Sequence, residues 1–356
     1  MKSITTIIGA RPQFIKAAPV CEALKKFGLK EVLVHTGQHY DELMSNVFFE
    51  QLSMPVPALN LGVGSGSHAM QTAEMMKKLD ILFSQNRPDA VLVYGDTNST
   101  LAGALTASKL NIPVIHVEAG LRSFNKDMPE EQNRIITDHL SEFLLCPTHS
   151  AIENLRNENI KAQTHLIGDT MYDAVKMFLP KALSQTSILA RLGIEDKEYL
   201  LATVHRPYNT DDKAKLSLLI NSFMRSNQTI VMPIHPRLKR KLTQFSLHLP
   251  GNVISMPPVS YFDMLILQHK SRAIMTDSGG IQKEAYFLEK PCITLRPETE
   301  WMETVKAGCN QLAWDTEENI ITAIEWALNA PHSEFPQLFG DGRAADAAAQ
   351  IIKEAI

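Results

Sequence analysis

The sequence predicts an α/β protein of two doubly wound domains. Short β-branched apolar runs alternate with longer segments of helical periodicity along the chain. Most of these runs are apolar at nearly every position, which is typical of parallel strands buried on both faces. The 356 residues correspond to about two domains, at roughly 150 residues for each.

The expected strands form two groups of consecutive βα units. In the first half we predict strands at residues 4–8, 32–36, 90–94, 113–117 and 143–146, and a further one at 165–167. In the second half we predict strands at residues 199–204, 229–234, 252–256, 273–276 and 291–295.

Helices are expected between these strands. Pro12 suits a first helical turn, and apolar residues follow it at helical spacing from Phe14 to Leu24. Similar patterns predict helices at residues 98–109, 211–224 and 280–288. A helix at 183–192 is expected to connect two domains, which we place at residues 1–170 and 171–356. The last helix, 343–356, packs on either domain in this prediction.

Composition excludes several classes of protein. Lys+Arg is 35 and Asp+Glu is 39, giving a net charge of -4, whereas a duplex nucleic-acid binder has a basic excess. The four cysteines form no CxxC pair, so we expect reduced thiols. The apolar run at the start stops at Gly9, and no segment approaches about 18 consecutive apolar residues. We therefore predict a cytoplasmic protein with no membrane span.

Ligands of open α/β sheets bind at the carboxyl ends of the strands, and with two such domains we expect the site in the cleft between them. After the first strand, Arg11 and Lys16 accompany a glycine turn that opens a helix. This arrangement suits a phosphate or another anion, or it is a tight turn with two solvated cations. The dinucleotide fingerprint GxGxxG is absent from this turn.

The second strand is followed by a turn with two histidines. His35 and His39 are four residues apart, but they flank a turn and not a helix, which disfavours a metal pair. We expect Gln38 or His39 to face the cleft. The glycine-rich segment 62–68 is either a flexible loop or one that helps to close over a ligand.

Carboxylates follow the next two strands. Asp96 and Glu118 stand at strand ends, and Glu130 and Glu131 follow nearby. Crowded carboxylates raise one another's pKa values, which lets a site hold an acid and a base at neutral pH.

Structural roles are the alternative for these carboxylates. Asp96 would then cap the following helix, and Glu118 would pair with Arg122 or Arg134. Glu130 and Glu131 would cap a helix that starts after Pro129.

In the second half, His205 and Arg206 follow a strand, in a placement that suits a leaving phosphate. His235 repeats this placement after the next strand. The basic residues at 237–241 are interpreted as a solvated helix face.

The segment from Thr276 to Ala285 gives the strongest phosphate-binding pattern. Ser278, Gly279 and Gly280 join a strand to a helix, and glycines let a diphosphate approach the backbone amides. The alternative is a plain tight turn. Glu284 is placed to accept hydrogen bonds from ribose hydroxyls, and Arg296 is expected to face the same cleft.

Taken in order, these segments resemble the non-hydrolysing UDP-N-acetylglucosamine 2-epimerases, a family with the two-domain glycosyltransferase-B architecture. The matching segments are GARPQFIK (9–16), TGQHY (36–40), YGDTNST (94–100), HVEAGLR (116–122), PEEQNR (129–134), TVHR (203–206), DSGGIQKEA (277–285) and LRPETE (295–300).

The resemblance implies anti elimination of UDP to a 2-acetamidoglucal and re-addition of UDP after C2 is reprotonated on the opposite face. It implies that Asp96, Glu118 and Glu130 are acid/base groups and that Lys16 supports them. His205 would stabilise the leaving UDP. The UDP-sugar would be bound by Arg11, Gln38, Arg206, His235, Ser278, Gly279, Gly280, Glu284 and Arg296. The resemblance implies no metal or nicotinamide cofactor. It implies a homodimer that serves surface-polysaccharide synthesis.

The chain departs from the family pattern at two places. Tyr208 stands where the family often has Glu, and residues 67–71 lack the arginine that helps some members to bind an activating second substrate molecule. The first segment also resembles the branch acting on UDP-2,3-diacetamido-2,3-dideoxyglucuronic acid. A glycosyltransferase of the same architecture and a non-catalytic nucleotide-sugar sensor are further alternatives.

Overall fold

The structure is a computed structural model that describes residues 2–38, 49, 51–329 and 334–356. The chain divides into two compact units: unit 1 has residues 1–174 and 337–356, and unit 2 has residues 175–336. Each unit contains a sheet of parallel strands flanked by helices. This confirms the doubly wound α/β fold class predicted from the alternating apolar runs.

The described strands of unit 1 form a sheet in the order β3-β2-β1-β4-β5-β6-β7. They are β1 (Ser3–Ile8), β2 (Lys30–His35), β3 (Leu59–Asn60), β4 (Ala90–Tyr94), β5 (Val114–Val117), β6 (Phe143–Cys146) and β7 (Gln163–Leu166). The helices are α1 (Arg11–Lys26), α2 (His68–Gln85), α3 (Asn98–Lys109), α4 (Pro129–Leu140), α5 (His149–Asn157) and α6 (Thr170–Gln185), which continues into unit 2. Every residue of β4, β5 and β6 is buried, as their continuous apolar runs predict.

Unit 2 has a sheet in the order β10-β9-β8-β11-β12-β13. Its described strands are β8 (Leu200–Thr203), β9 (Ile230–Pro233), β10 (Val253–Met256), β11 (Ala273–Thr276), β12 (Cys292–Thr294) and β13 (Asn310–Leu312). Its helices are α7 (Ile188–Leu192), α8 (Pro207–Thr210), α9 (Lys213–Arg225), α10 (Pro236–Phe245), α11 (Tyr261–Lys270), α12 (Gly279–Phe287), α13 (Met302–Lys306) and α14 (Glu317–Asn329). The last helix of the chain, α15 (Ala344–Ala355), belongs to unit 1.

The predicted connecting helix at 183–192 is wrong. The chain instead forms α6 and α7, with Thr186 and Ser187 between them. Pro180 lies inside α6, and an interior proline usually marks a helix boundary, which hides the true start at Thr170. Strands β3 and β13 have only two and three residues, too few for a recognisable pattern.

A buried carboxylate holds the start of α15 in unit 1. Helix α15 packs against α1. Asp173 accepts hydrogen bonds from the amides of Ala344 (3.1 Å) and Ala345 (2.9 Å). Burial raises the pKa of Asp173 to about 6, against the opposing effect of these two amides. The neutral carboxyl group of Asp173 is therefore more favoured in the folded state than in the unfolded chain.

We expect this shift to appear in the pH dependence of stability. A folded pKa above the unfolded value of about 3.9 gives a stabilisation that is complete below pH 4 and lost as pH rises through about 6. Asp173→Asn removes this dependence, so wild type should lose about 2–3 kcal/mol relative to the variant between pH 4 and pH 7. Melting temperatures across that range measure it. Asp346→Asn, at an exposed ion pair on α15, is the control. A stability difference between wild type and Asp173→Asn that does not change with pH would contradict the assignment.

Among the described residues, no helix combines the length and apolar character needed to cross a membrane. All four cysteines are free and buried.

Candidate active site

Each of the two sheets has one place where its strand order reverses, and candidate residues follow the strands on both sides of it. In unit 1 the reversal lies between β1 and β4, and in unit 2 between β8 and β11. Loops on either side of such a reversal diverge and leave a crevice at the carboxyl ends of the strands. Gly9 and Gly95 follow the two strands in unit 1, and His205 and Asp277 lie just beyond the two in unit 2.

The turn after β1 is tied to the neighbouring strand. A Cβ atom on Gly9 would clash with the hydroxyl groups of Thr36 and Ser99, so a larger residue here would require both side chains to move. Gln13, which we did not predict as a site residue, accepts a hydrogen bond from the Gly9 amide (2.8 Å) and donates one to the Tyr94 carbonyl (2.9 Å). The turn is thereby held at the end of β4.

Two predicted substrate-binding residues lie beside this turn. Arg11 is the first residue of α1 and is half-buried. Gln38 Oε1 accepts hydrogen bonds from the Ser99 hydroxyl (2.6 Å) and amide (3.1 Å). The prediction for His39 lies outside the described residues. In the glycine-rich segment, the Gly64 carbonyl accepts a hydrogen bond from Gln71 Nε2 (2.7 Å).

Asp96 is held by an arginine and caps no helix. Its Oδ2 accepts hydrogen bonds from Arg134 Nε (3.1 Å) and Nη2 (2.7 Å), and its side chain stays one-third exposed. The cap of α3 is Thr97, which accepts from the Thr100 amide. The alternative role of Asp96 as a helix cap is therefore wrong.

Glu118 occupies a strained backbone position. Its φ is 71°, in the left-handed region, which costs a non-glycine residue roughly 1–2 kcal/mol. Its buried carboxylate forms an ion pair with Lys16. Opposite it, Gly95 has φ 62°, and a Cβ there would lie 3.0 Å from Glu118 Oε2. The strained residue, Glu118, is thus the one whose carboxylate packs against the backbone of Gly95, just after β4.

The alternative pairing of Glu118 with Arg122 is not found among the described ion pairs, which join Glu118 to Lys16. Arg122 pairs with Asp138 and Glu158 at 2.7 Å each. Arg134 pairs with Asp96 and with Glu131 (2.6 Å).

The two carboxylates at the start of α4 differ in environment. Glu131 is buried and accepts from the amides of Ser123 (2.9 Å) and Phe124 (2.8 Å), so it orders the preceding loop. Glu130 is half-buried and has no hydrogen-bonding or ion-pair partner among the described residues. Both glutamates lie in the first turn of α4, which starts at Pro129, as the structural alternative predicted. The N-cap residue itself is Met128, which makes no side-chain hydrogen bond. Glu130 keeps its carboxylate available.

In unit 2, a buried aspartate orients His205. Asp277 Oδ1 lies 2.9 Å from His205 Nδ1. The same carboxylate accepts from the amides of His205 (3.0 Å) and Arg206 (2.9 Å) and from Asn209 Nδ2 (3.0 Å). Because Nδ1 is engaged, Nε2 is the nitrogen that the one-third-exposed His205 can present to a ligand.

Asp277 was not among the predicted site residues, and its contacts with His205 make it a further candidate. Burial would raise its pKa, but the hydrogen bond and charge of His205 and the Arg206 amide outweigh this and hold the pKa below its ordinary value. Asp277 is therefore ionised beside His205. The feature that could have indicated Asp277 is its position at the end of β11, because β11 is paired with β8, the strand that precedes His205.

His235 and Arg206 flank this pair. The rings of His205 and His235 lie 5.5 Å apart. His235 Nδ1 accepts the amide of Arg237 (3.1 Å), leaving Nε2 for other partners. Burial and the neighbouring His205 lower the pKa of His235. The pair can therefore offer two imidazole nitrogens to an anion.

The predicted phosphate loop opens α12. Ser278 is the N-cap residue, its side chain makes no capping hydrogen bond, and the first turn holds no acidic residue. The space beside Gly280 is open, whereas a Cβ on Gly279 would lie 2.9 Å from Glu300 Oε1. The first amides of a helix lack intrahelical acceptors, so this end suits an anion.

The two remaining predicted residues are buried. Glu284 accepts a hydrogen bond from Gln268 Nε2 (2.7 Å), and Arg296 pairs with Glu300 (2.9 Å). In the described part of the chain, no group of three or more His, Cys, Asp or Glu side chains is arranged to hold a metal ion.

Comparison with known proteins identifies the family. Residues 22–353 match the family model described as UDP-N-acetylglucosamine 2-epimerase. A UDP-N-acetylglucosamine 2-epimerase homolog of Methanococcus maripaludis is 47% identical over 98% of this chain and 99% of its own. The UDP-2,3-diacetamido-2,3-dideoxy-D-glucuronate 2-epimerase of Pseudomonas aeruginosa is 43% identical over the same shares.

Solved structures agree. The crystal structure of Methanocaldococcus jannaschii UDP-GlcNAc 2-epimerase in complex with UDP-GlcNAc and UDP has a TM-score of 0.92 at 40% identity, covering 99% of each chain. A glycosyltransferase from Glycyrrhiza uralensis has a TM-score of 0.62 at 11% identity over 100% of this chain and 92% of its own, a likeness of fold alone that supports the glycosyltransferase-B architecture. By family model, sequence identity and fold together, this chain belongs to the UDP-N-acetylglucosamine 2-epimerase family.

Proposed function

We propose that this protein interconverts UDP-N-acetylglucosamine and UDP-N-acetylmannosamine. A base removes the C2 proton, the C1–O bond breaks with its electrons on the β-phosphate oxygen of UDP, and a C1–C2 double bond forms. An acid then delivers a proton to the other face of C2 while the UDP oxygen rebuilds its bond to C1. These two reaction steps together are redox-neutral and need no external reactant.

The observation that carries the proposal is the set of carboxylates after β4 and β5. Asp96 is held by Arg134, Glu118 by Lys16, and Glu130 has no partner among the described residues. Three carboxylates in different environments suit removal and return of a proton on opposite faces of one carbon. We propose that they share the acid and base roles.

The groups of unit 2 suit the leaving UDP. His205, oriented by Asp277, presents Nε2, and the start of α12 presents amides. We propose that they stabilise the diphosphate together with Arg206 and His235. Arg11 and Gln38 of unit 1, and Glu284 and Arg296 of unit 2, stay predicted contacts of the UDP-sugar.

A second candidate substrate is UDP-2,3-diacetamido-2,3-dideoxyglucuronic acid. The Pseudomonas aeruginosa relative named for this substrate is 43% identical to the chain, and a Methanocaldococcus jannaschii UDP-N-acetylglucosamine 2-epimerase is 41% identical. The chemistry at C1 and C2 is the same for both sugars. The second requires a cation for its C6 carboxylate.

Proton NMR in deuterium oxide tests the proposal with the two UDP-sugars side by side. We expect the C2 proton signal of UDP-N-acetylglucosamine to disappear while the 2-epimer accumulates. Exchange with the diacetamido uronate alone would establish the second candidate. No exchange with either sugar, in protein shown to bind UDP, would overturn the proposed function. The homodimer and the cytoplasmic location stay predictions, and light scattering tests the first.

A further inference from the structure

A fully buried cluster of charged side chains lies behind the carboxylates of unit 1. His116 on β5 and Asp138 on α4 have no exposed surface, and the Arg122 side chain is 1% exposed. Asp138 Oδ1 lies 2.7 Å from His116 Nδ1, and its Oδ2 accepts from Arg122 Nη1 at 2.7 Å. Buried charges are costly unless each is paired. Here the carboxylate of Asp138 contacts both His116 and Arg122.

Both ring nitrogens of His116 are within hydrogen-bonding distance of oxygen atoms. Its Nδ1 faces the carboxylate of Asp138, and its Nε2 lies 2.8 Å from the carbonyl oxygen of Gly95, which can only accept. Burial would raise the pKa of Asp138, but His116 and Arg122 outweigh this and lower it, so the carboxylate is ionised. The ring of His116 therefore bridges the carboxylate of Asp138 and the backbone carbonyl of Gly95.

The cluster contacts the backbone next to two of the proposed acid/base residues. The Gly95 carbonyl bonded to His116 directly precedes Asp96. Asp138 Oδ2 accepts from the Gly120 amide (3.1 Å), two residues after Glu118. Asp138 lies on α4, the helix that also carries Arg134. It thus links α4 to β5 through His116 and to the loop after β5 through Gly120.

The loop that the cluster contacts is the strained one. Glu118 and Gly120 both have left-handed φ values, 71° and 80°. A strained conformation persists only where its surroundings over-determine it. The amides of Glu118 (3.0 Å) and Ala119 (3.2 Å) both donate to the Leu145 carbonyl, and Asp138 supplies the next contact, at Gly120.

We infer that Asp138, His116 and Arg122 form a positioning cluster, which holds Glu118 in its left-handed conformation and so keeps its carboxylate beside Lys16 and the chain after β4. This rests on the proposed role of Glu118 as an acid/base group. None of the three residues touches the substrate in this account. They act through the backbone on either side of Glu118 and before Asp96.

Asp138→Asn tests the inference, because it removes the carboxylate that contacts His116, Arg122 and the Gly120 amide while keeping the shape of the side chain. We expect turnover, followed as loss of the C2 proton in deuterium oxide, to fall about 100-fold, while affinity for UDP stays within twofold. His116→Gln is the second variant; it removes the ring that bridges Asp138 and the Gly95 carbonyl, and it decides the question if Asp138→Asn does not fold.

Glu158→Gln is the matched control. It removes the other carboxylate on Arg122 but leaves every contact of Asp138 and His116 in place. We expect it to lower the melting temperature while keeping turnover within threefold. An equal loss of turnover in this control, or wild-type turnover in folded Asp138→Asn or His116→Gln, would overturn the inference.

A crystal structure of a folded cluster variant separates the inference from the proposed function. Glu118 is expected to leave the left-handed region when Asp138 or His116 is replaced. Retention of a φ near 71° would refute positioning whatever the substrate is. An inactive wild-type protein would instead refute the proposed function, and the backbone of Glu118 would still decide the inference.

Discussion

Replacing Glu118 by Gln is expected to lower turnover about 10³-fold, within the range that general acid–base groups contribute. Gln keeps the size and hydrogen-bonding shape of the side chain but cannot exchange a proton, and it loses the ion pair with Lys16. Affinity for UDP should stay within twofold, because the groups proposed to hold the diphosphate lie mainly in unit 2. Initial rates of C2 exchange and calorimetric binding of UDP measure the two effects.

Glu74→Gln is the control for this substitution. Glu74 is in α2 of the same unit and pairs only at the surface with Lys77. Its replacement is expected to leave turnover unchanged, since exposed pairs contribute little. A Glu118→Gln protein that exchanges the C2 proton at more than a tenth of the wild-type rate would remove Glu118 from the proposed acid/base set.

Asp277→Asn is expected to lower turnover about 10²–10³-fold through His205. The amide cannot neutralise an imidazolium, and one of its two terminal atoms is a donor facing groups that already donate. His205 then loses both its orientation and the charge that supports protonation as UDP departs. In serine proteases the equivalent Asp→Asn change lowers kcat about 10⁴-fold. We expect a smaller loss here, because proton transfer by His205 does not have to depend fully on the charge of residue 277.

The pH dependence of stability provides a second readout for Asp277. Its pKa is depressed in the folded state, so its contribution is present above the unfolded value of about 3.9 and is lost as pH falls through the lower folded value. Wild type should therefore gain stability relative to Asp277→Asn as pH rises through about 4. Asp211→Asn, at an exposed ion pair with Arg237 in the same unit, is expected to keep turnover. Full turnover in Asp277→Asn would show that His205 needs no partner.

Much of the fold could be predicted because parallel strands carry a simple pattern. The strands at 90–94, 143–146 and 273–276 have the predicted bounds, since each is a short, mostly apolar run followed by a glycine, a proline or a charged residue. Helix α3 also has its predicted bounds. The region of 170–192 was mispredicted because Pro180 interrupts the sequence pattern of a helix without ending it.

The candidate site was predictable in its residue types and not in its pairings. Strand ends pointed to Asp96, Glu118 and His205, but the partners of these residues come from distant segments. Asp277 meets His205 only because β8 and β11 are neighbours in register. The left-handed backbone of Glu118 leaves no mark in a sequence, because non-glycine residues adopt it only when tertiary contacts impose it.

Positional isotope exchange tests the central claim, cleavage and re-formation of the C1–O bond, most directly. UDP-N-acetylglucosamine would carry ¹⁸O in the bridge between C1 and the β-phosphate. If UDP is eliminated and then adds back, rotation of the β-phosphate moves the label into non-bridging positions, and we expect this scrambling to accompany deuterium entry at C2. Deuterium entry with the label retained in the bridge would contradict elimination and require epimerisation without C1–O cleavage.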